Sequence, residues 1–225
     1  MAVSSLRSVA PFLLLATLWG LSFPAISVGL EALPPVLFAA FRYEVAAVIL
    51  LAAVAIQASG RSWLPTTRGD FEAVAGGGLF LIAGNGFLFL GQQTVPSGVA
   101  AIIQGLVPIA TVLWALVLLP EERVSAVGAV GIVIGFLGVA LVIRPDPANL
   151  LSADLVGKIL VCVQVTSVAL GGVLVQRADS TVGGTTLAGW SMAVGGVGLQ
   201  LASVGIGEPL TVPAGVSLAA VAYLG

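Results

Sequence analysis

The sequence has few charged residues, a single cysteine and no histidine. Only 8% of its 225 residues are Asp, Glu, Lys or Arg, whereas 59% are hydrophobic. Soluble domains carry about a quarter charged residues, so this composition excludes a water-soluble globule. Cys162 has no second cysteine to pair with, and without histidine there is no plausible zinc or haem site. We therefore expect an integral membrane protein with no cofactor and no metal or thiol chemistry.

Long uncharged stretches indicate how the chain crosses the bilayer. They run over 8–30, 73–120, 124–143, 159–176 and 180–207. A helix needs about 20 apolar residues to cross the hydrocarbon core. The alternating polarity of a barrel strand is not visible. Because backbone amides in lipid must be bonded within their own segment, the sequence predicts an all-α, polytopic helical bundle.

Turn residues set the predicted helix boundaries. The stretch 73–120 is too long for one crossing, and Thr94-Val95-Pro96-Ser97 marks a connection near its middle. An eighth helix begins near Ser217. The seven predicted helices before it are 9–30, 36–57, 72–93, 98–119, 124–143, 155–176 and 186–206.

Basic residues predict the orientation. The apolar stretch after Arg7 is longer than the core of a signal peptide and lacks a clear cleavage site, so the first helix is expected to stay. Lys and Arg in short loops favour the cytoplasmic side. A cytoplasmic amino terminus places five arginines inside, Arg7, Arg61, Arg68, Arg123 and Arg177, and leaves Arg144 and Lys158 outside. We expect a multi-pass protein of the cytoplasmic (plasma) membrane.

The spacing of the helices suggests an internal repeat. The starts of helices one to three recur as the starts of helices six to eight after roughly 145–150 residues, which is typical of duplication in transporters. If the repeat has five helices, an odd number, the second copy enters the membrane from the opposite side and is therefore inverted. We expect a first repeat over 1–150, with helices one to five, and an incomplete second repeat over 151–225. On this hypothesis Gly225 is not the natural end, and this stretch alone would not transport.

Several short motifs occur in the order and spacing of one transporter family. They are Trp19-Gly20-Leu21-Ser22-Phe23-Pro24, Arg42, Pro108, Glu122-Arg123, Gly128, Gly135 and Gly138. Over 10–143 the sequence resembles the EamA-type transporters of the drug/metabolite transporter superfamily. The resemblance implies ten helices in two inverted five-helix repeats, both termini in the cytoplasm, and secondary transport of small metabolites.

Polar side chains within the predicted helices are candidate substrate ligands. Asn85 and Gln92 share one face of helix three, and Gln104 shares a face of helix four with Pro108 and Thr111. Amides and hydroxyls could hydrogen-bond a solute in a water-filled cavity, with Trp19 as an apolar or cation-π wall. The alternative is that these groups bond neighbouring helices to one another. The candidate substrate-binding set is Trp19, Ser22, Arg42, Asn85, Gln92, Gln104 and Gln164.

Two charged residues lie inside helix two. Arg42 is roughly six residues from its start, where a charge costs at least about 2.5 kcal/mol. It could bind an anionic group of a substrate, extend to the headgroups, or pair with Glu31 or another carboxylate. Glu44 points about 200° away from Arg42, so the two cannot pair. Glu44 is the candidate for proton coupling, and a structural contact between helices is its alternative.

Four residues are candidates for structural or gating roles. Pro108 removes a backbone hydrogen bond in helix four and could form a kink or hinge. Glu122 precedes helix five, at the positive end of its dipole. Gly131 and Gly135 would let another helix approach helix five closely. We favour packing within one chain over a homodimer interface, although a homodimer stays possible.

The sequence favours a secondary transporter over the other classes. A retinal protein needs a lysine in its last helix, whereas Lys158, the single lysine, begins helix six. An embedded enzyme would need paired carboxylates, a Ser/His pair or metal ligands within the spans, so we expect a non-enzyme. The predicted cargo is a small metabolite, an amino-acid-like solute or a drug, moved by alternating access. The alternative is a membrane-embedded receptor or structural protein without transport. Besides its solute, the expected partner is the lipid bilayer, and no nucleic acid.

Overall fold

The computed structural model describes residues 2–58, 63–119, 123–143 and 152–225, with side chains from residue 9 onward. These ranges contain helices and no strand, and seven helices are long and apolar enough to cross a membrane. The all-α, polytopic prediction is therefore confirmed. From α2 onward the helix boundaries lie within four residues of the predicted ones. The helices are α1 (Ala2–Gly29), α2 (Pro35–Gln57), α3 (Arg68–Gly91), α4 (Ser97–Leu118), α5 (Ala126–Ile143), α6 (Ala153–Arg177), α7 (Gly184–Gly205) and the short α8 (Val216–Leu224).

Helix α3 departs from the regular α-helical pitch in its middle, which the sequence did not predict. After a regular first part the helix widens to a π-helix over Gly76–Ile82 and then tightens to one 3-10 turn over Ala83–Asn85. Regular α-helix resumes over Gly86–Gly91. The hydroxyl of Ser167 in α6 donates to the carbonyl oxygen of Phe80 in the π-helical part (2.8 Å). Such short π-helical insertions occur frequently at functional sites.

Helix α4 is interrupted in its middle. Its two parts, Ser97–Gln104 and Val107–Leu118, are separated by Gly105 and Leu106. The amides of Gly105 and Leu106 bond carbonyls only three residues earlier, both at 3.0 Å. Pro108 follows directly and has no amide hydrogen for the carbonyl of Gln104, so the usual helical bond cannot form. The sequence predicted a kink at Pro108, and the structure shows a short break just before it.

Antiparallel helices α2 and α7 form the most extensive helix pair, and α6 and α7 both pack against the irregular α3. Helix α1 contacts α8 and the start of α4. The rings of Phe38 and Phe89 meet edge to face at 5.1 Å, and both are fully buried between α2 and α3. By contrast, α5 buries only Val139 among the residues described. The core therefore lies around α2, α3, α6 and α7.

Glycines allow the close approach of α3 to its neighbours. A Cβ atom placed on Gly91 would lie 2.7 Å from the carbonyl oxygen of Gly157 in α6. One placed on Gly195 in α7 would lie 2.6 Å from the carbonyl oxygen of Gly78. Since real Cβ atoms do not approach oxygen this closely, larger residues at these positions would push the helices apart. Small residues at such contacts are typical of membrane helix packing.

Glu208, in the segment after α7, holds the beginning of α2. Its carboxylate accepts hydrogen bonds from the backbone amides of Val36 (3.0 Å) and Leu37 (2.8 Å) and from the hydroxyl of Ser203 (2.7 Å). The first amides of a helix have no partner inside it and lie at the positive end of its dipole. The Glu208 carboxylate accepts bonds from two of these amides and places a negative charge at the positive end of the dipole.

Asp70, in the first turn of α3 and so after α2, makes the matching contact at the beginning of α7. It is buried and accepts bonds from the backbone amides of Thr181 (2.7 Å) and Val182 (3.2 Å) and from the hydroxyl of Ser180 (3.0 Å). It also closes a capping box with Thr67. Glu208, which follows α7, therefore bonds the first amides of α2, and Asp70, which follows α2, bonds the segment directly before α7.

Candidate functional site

Three amide side chains from three helices form a continuous hydrogen-bonded chain. The Nε2 of Gln104 donates to the Oε1 of Gln164 (2.7 Å), and the Nε2 of Gln164 donates to the Oδ1 of Asn85 (3.1 Å). The Nδ2 of Asn85 then donates to the carbonyl oxygen of Leu81 one turn earlier (2.6 Å). Gln164 is only 2% exposed. We call Asn85, Gln104 and Gln164 the amide chain.

The amide chain lies where both irregular helices meet α6. Asn85 is the last residue of the 3-10 turn in α3, and Gln104 is the last residue before the break in α4. Gln164 lies roughly 17 Å along α6 at 1.5 Å per residue, near its middle. Interrupted helices at membrane depth are tolerated where they line a cavity or are buried in protein, and in transporters they form solute sites.

Gln92 belongs to a second polar cluster. Its Nε2 donates to the carbonyl oxygen of Phe23 (3.2 Å) and contacts the hydroxyl of Ser97 (3.4 Å), which itself donates to the same carbonyl (3.2 Å). Ser27 lies 2.7 Å from Ser97, oxygen to oxygen. Although Gln92 directly follows the helix that contains Asn85, Gln92 bonds α1 and the start of α4, whereas Asn85 bonds α6. The predicted amide set is thus divided between two places.

An apolar cavity of about 480 Å³ lies between α4, α5 and α6. Its lining includes Leu106 and Val165, which are neighbours of Gln104 and Gln164 in the sequence. Trp114 also lines it and donates its indole N–H to the carbonyl oxygen of Thr166 (3.2 Å). Sites for small molecules typically have volumes of about 300–1,000 Å³, so the cavity has the size that a small solute requires.

Arg42 lies between α2 and α3. Its guanidinium is 4.7 Å from the centre of the Tyr43 ring and 5.9 Å from that of Phe89. Its Nε is buried and has no hydrogen-bond partner among the residues described. The ion pair with Glu31 that the sequence left open is not formed. The aromatic rings are therefore the contacts that stabilise this charge within the described ranges.

Comparison with known proteins decides the family. Residues 7–144 match the EamA-like transporter family. The chain belongs to that family. The resemblance of the motifs around Trp19, Arg42 and Pro108 is therefore confirmed, and so is the prediction of a multi-pass membrane protein from a family of transporters.

Relatives of this EamA-like chain carry transporter names. The uncharacterized inner membrane transporter YedA of Escherichia coli (strain K12) is 33% identical over 210 residues, which cover 92% of this chain and 65% of YedA. An uncharacterized transporter of Archaeoglobus fulgidus is 32% identical over 143 residues, 64% of this chain and 50% of that protein. The chain thus spans about two thirds of the length of YedA.

A solved crystal structure shares the fold. It superposes on this EamA-like chain with a TM-score of 0.61 at 21% identity, covering 93% of this chain and 73% of that one. At this identity the likeness shows the fold alone.

Glu44, the candidate for proton coupling, lies against α7. A Cβ atom placed on Gly196 would lie 3.0 Å from the Cγ of Glu44. In the described part of the EamA-like chain its carboxylate has no hydrogen-bond partner. Arg42 contacts α3 whereas Glu44 contacts α7, so the two side chains lie on different sides of α2.

The two candidates on α1 are not bonded to the amide chain. Trp19 is 72% exposed. Ser22 donates its hydroxyl to the carbonyl oxygen of Leu18 in its own helix (3.1 Å). The hydroxyl of Tyr223 in α8 donates to the same carbonyl (2.8 Å). A substrate role for Trp19 and Ser22 stays a prediction.

The structural candidates are placed as follows. Pro108 is the second residue of the second part of α4. A Cβ atom on Gly135 would meet the side chain of Ile109 in α4, whereas one on Gly131 would find no described atom within 4 Å. Glu122 lies outside the described residues.

Sequence reasoning missed the partners of Gln92 and the long-range contacts of Asp70 and Glu208. Ser97 is the first residue of α4, and the sequence assigned it to the connection before that helix, where a hydroxyl is common, so no signal pointed to it. For Glu208, one signal was available: Pro34, the residue before α2, has no side-chain group that could bond the first amides of the helix, so another residue had to do so.

Proposed function

We propose that this EamA-like chain moves a small metabolite, amino-acid-like solute or drug across the cytoplasmic membrane by alternating access. The observation that carries the proposal is the amide chain at the junction of the two interrupted helices. With no water in the bilayer core, buried amides must bond something. Asn85, Gln104 and Gln164 bond one another, and a polar solute can replace those bonds with bonds of the same kind.

We further propose the two inverted repeats, over 1–150 and 151–225. The contacts of Asp70 and Glu208 support this arrangement. If α2 and α7 are equivalent helices in the two repeats, the segments that follow them are equivalent too. Asp70 and Glu208 then hold equivalent helix beginnings, each from the other repeat. The family match over 7–144 also falls within the first proposed repeat.

A cytoplasmic amino terminus belongs to the same proposal. Arg68, Arg123 and Arg177 lie at the side of the membrane where α1 begins, while Lys158 lies at the opposite side. Lys158 forms an ion pair with Asp154 (2.7 Å) and also donates to the carbonyl oxygen of Ile143 (3.2 Å). Among the described residues, three of the four loop-side basic residues thus lie at the side where α1 begins, as the positive-inside rule expects.

Transport by lipid vesicles that contain the intact protein tests the function. Uptake and efflux of candidate solutes are measured for the wild type and for the combined Asn85→Leu, Gln104→Leu and Gln164→Leu variant. We expect the triple variant to lose transport, because each amide of the chain is then removed. The control is Thr17→Val on α1, because the Thr17 hydroxyl bonds only the carbonyl of Leu13 in its own helix (2.8 Å), and this variant should transport normally.

Two outcomes separate the site from the function. Unchanged transport by the triple variant would remove the amide chain from the site. Folded wild-type protein that moves no solute in either direction would contradict the transport function itself. A Gln92→Leu variant tests whether the second cluster takes part, since Gln92 bonds α1 instead of α6.

A further inference from the structure

Arg42 is a positive charge at membrane depth without a described counter-charge. It lies roughly 11 Å from the start of α2 at 1.5 Å per residue, inside the span. It forms no ion pair or hydrogen bond through its side chain with any described residue, and its Nε is both buried and unpartnered. Charged residues within spans usually pair with one another or line a pathway for solutes.

The carboxylates of the packed helices are directed elsewhere. Glu44, on the same helix, lies against Gly196 of α7. Glu208, which follows α7 and lies beside the start of α2, has both oxygens bonded, to the backbone of α2 and to Ser203. Asp70 is bonded to the segment before α7, at the other end of the helix pair. None of these three neutralises Arg42, so its charge is available to a ligand.

The surroundings of Arg42 favour a planar, singly charged anion. The guanidinium carbon lies over the Tyr43 and Phe89 rings, and none of the guanidinium N–H groups is bonded to a described residue. A guanidinium presents parallel N–H groups with the spacing of carboxylate oxygens. A doubly charged phosphate would require a second cation. The other described cations, Arg68, Arg123, Arg177 and Lys158, lie at or near helix ends.

We propose that Arg42 binds the carboxylate group of the transported solute, an inference that rests on the proposed transport function. Phe89 connects this position with the amide chain, because it follows Asn85 by four residues and thus lies one turn further along the same face of α3. A solute anchored at Arg42 would therefore extend along α3 toward Asn85. The solute class is an organic monocarboxylate with a hydrogen-bonding remainder.

Matched pairs of carboxylates and their primary amides test this inference. Binding of benzoate against benzamide, and of hydrocinnamate against hydrocinnamamide, is measured on the intact purified protein by tryptophan fluorescence and thermal shift. We expect the carboxylate of at least one pair to bind tenfold more tightly than its amide. Arg42→Gln should abolish that preference, while Arg42→Lys, which keeps the charge but loses the parallel donors, should retain a smaller one.

The control variant is Arg68→Gln. Arg68 is an exposed arginine that pairs with Glu72 (2.7 Å) at a helix end, so its loss should leave the preference for carboxylates unchanged. Equal binding of carboxylates and amides by the wild type would overturn the proposal, and this result needs no variant to fold. A preference that survives Arg42→Gln would overturn it as well.

Transport measurements distinguish this inference from the function on which it rests. If vesicles move an uncharged solute and Arg42→Gln leaves that rate and all carboxylate binding unchanged, the transport function is supported and the role of Arg42 is contradicted. If carboxylates bind through Arg42 but no solute moves in either direction, the carboxylate site at Arg42 is supported and the transport function is contradicted.

Discussion

The hydrogen bond between Gln104 and Gln164 can be measured by a double-mutant cycle. The single variants are Gln104→Leu and Gln164→Leu, which have similar volume but no amide. The bond is short at 2.7 Å, and Gln164 is 2% exposed, so water does not replace the lost partner. Hydrogen bonds between membrane helices average about 0.6 kcal/mol and reach about 1.7 kcal/mol. We expect a coupling energy of about 1 kcal/mol, in the upper part of that range.

The two single variants should also differ from each other. Gln164→Leu removes the bond to Asn85 (3.1 Å) as well as the bond to Gln104, so it should destabilise the protein by about 1–3 kcal/mol. Gln104→Leu removes one interhelical bond and should cost about half as much. Stability is measured by unfolding the intact protein in mixed micelles with increasing dodecyl sulfate, for the wild type, both single variants and the double variant.

A second cycle supplies the control. Thr166→Val replaces Gln164→Leu on the same helix, and it removes a hydroxyl that bonds only within α6. Its effect should add to that of Gln104→Leu within about 0.3–0.5 kcal/mol. A coupling between Gln104 and Gln164 that is no larger than in this control cycle would show that the amide chain is not formed in the protein.

Two further predictions concern carboxylates. Glu208→Gln should destabilise the protein by about 1–3 kcal/mol in the same unfolding assay, because the bonds to Val36 and Leu37 lose their charge, whereas Glu31→Gln, at an exposed position, should have no effect. Glu44→Gln should abolish any stimulation of vesicle transport by a pH gradient, and an unchanged response would remove Glu44 from the coupling role.

The membrane helices could be predicted closely because one free-energy cost, that of an unbonded backbone group in lipid, decides where they form. An unbonded backbone group in lipid costs so much that long apolar runs must be helical, whatever their neighbours are. The π-helical part of α3 has no such local cause. It depends on contacts from other helices, such as Ser167 bonding the carbonyl of Phe80, together with glycines at 76–78 that leave room for α7. Hydropathy does not distinguish this arrangement from a regular helix.

The candidate site was predictable in its residue types but not in its pairings. Asn85, Gln92 and Gln104 stand out as amides within apolar runs. Which amide bonds which depends on the rotation and spacing of the packed helices, and sequence spacing fixes only the face of a single helix. Asn85 and Gln92 illustrate the limit, since they bond different helices despite their spacing of seven residues.

The positions of the bonded and interrupted segments bear on the proposed alternating access, in which the fold opens first to one side of the membrane and then to the other. Glu208 fixes one end of the antiparallel α2–α7 pair, because it bonds Ser203 of α7 and the first backbone amides of α2, so sliding of one helix along the other would break charged hydrogen bonds. At the other end, Asp70 ties the segment before α7 to α3. The helical bond pattern is instead interrupted at Gly105 and Leu106 in α4 and altered over Gly76–Asn85 in α3. Bending at these places would break few further backbone bonds, and both adjoin the amide chain. On the alternating access that we propose, a solute that replaces the amide bonds would therefore act directly on the two interrupted helices, while the α2–α7 pair keeps its register.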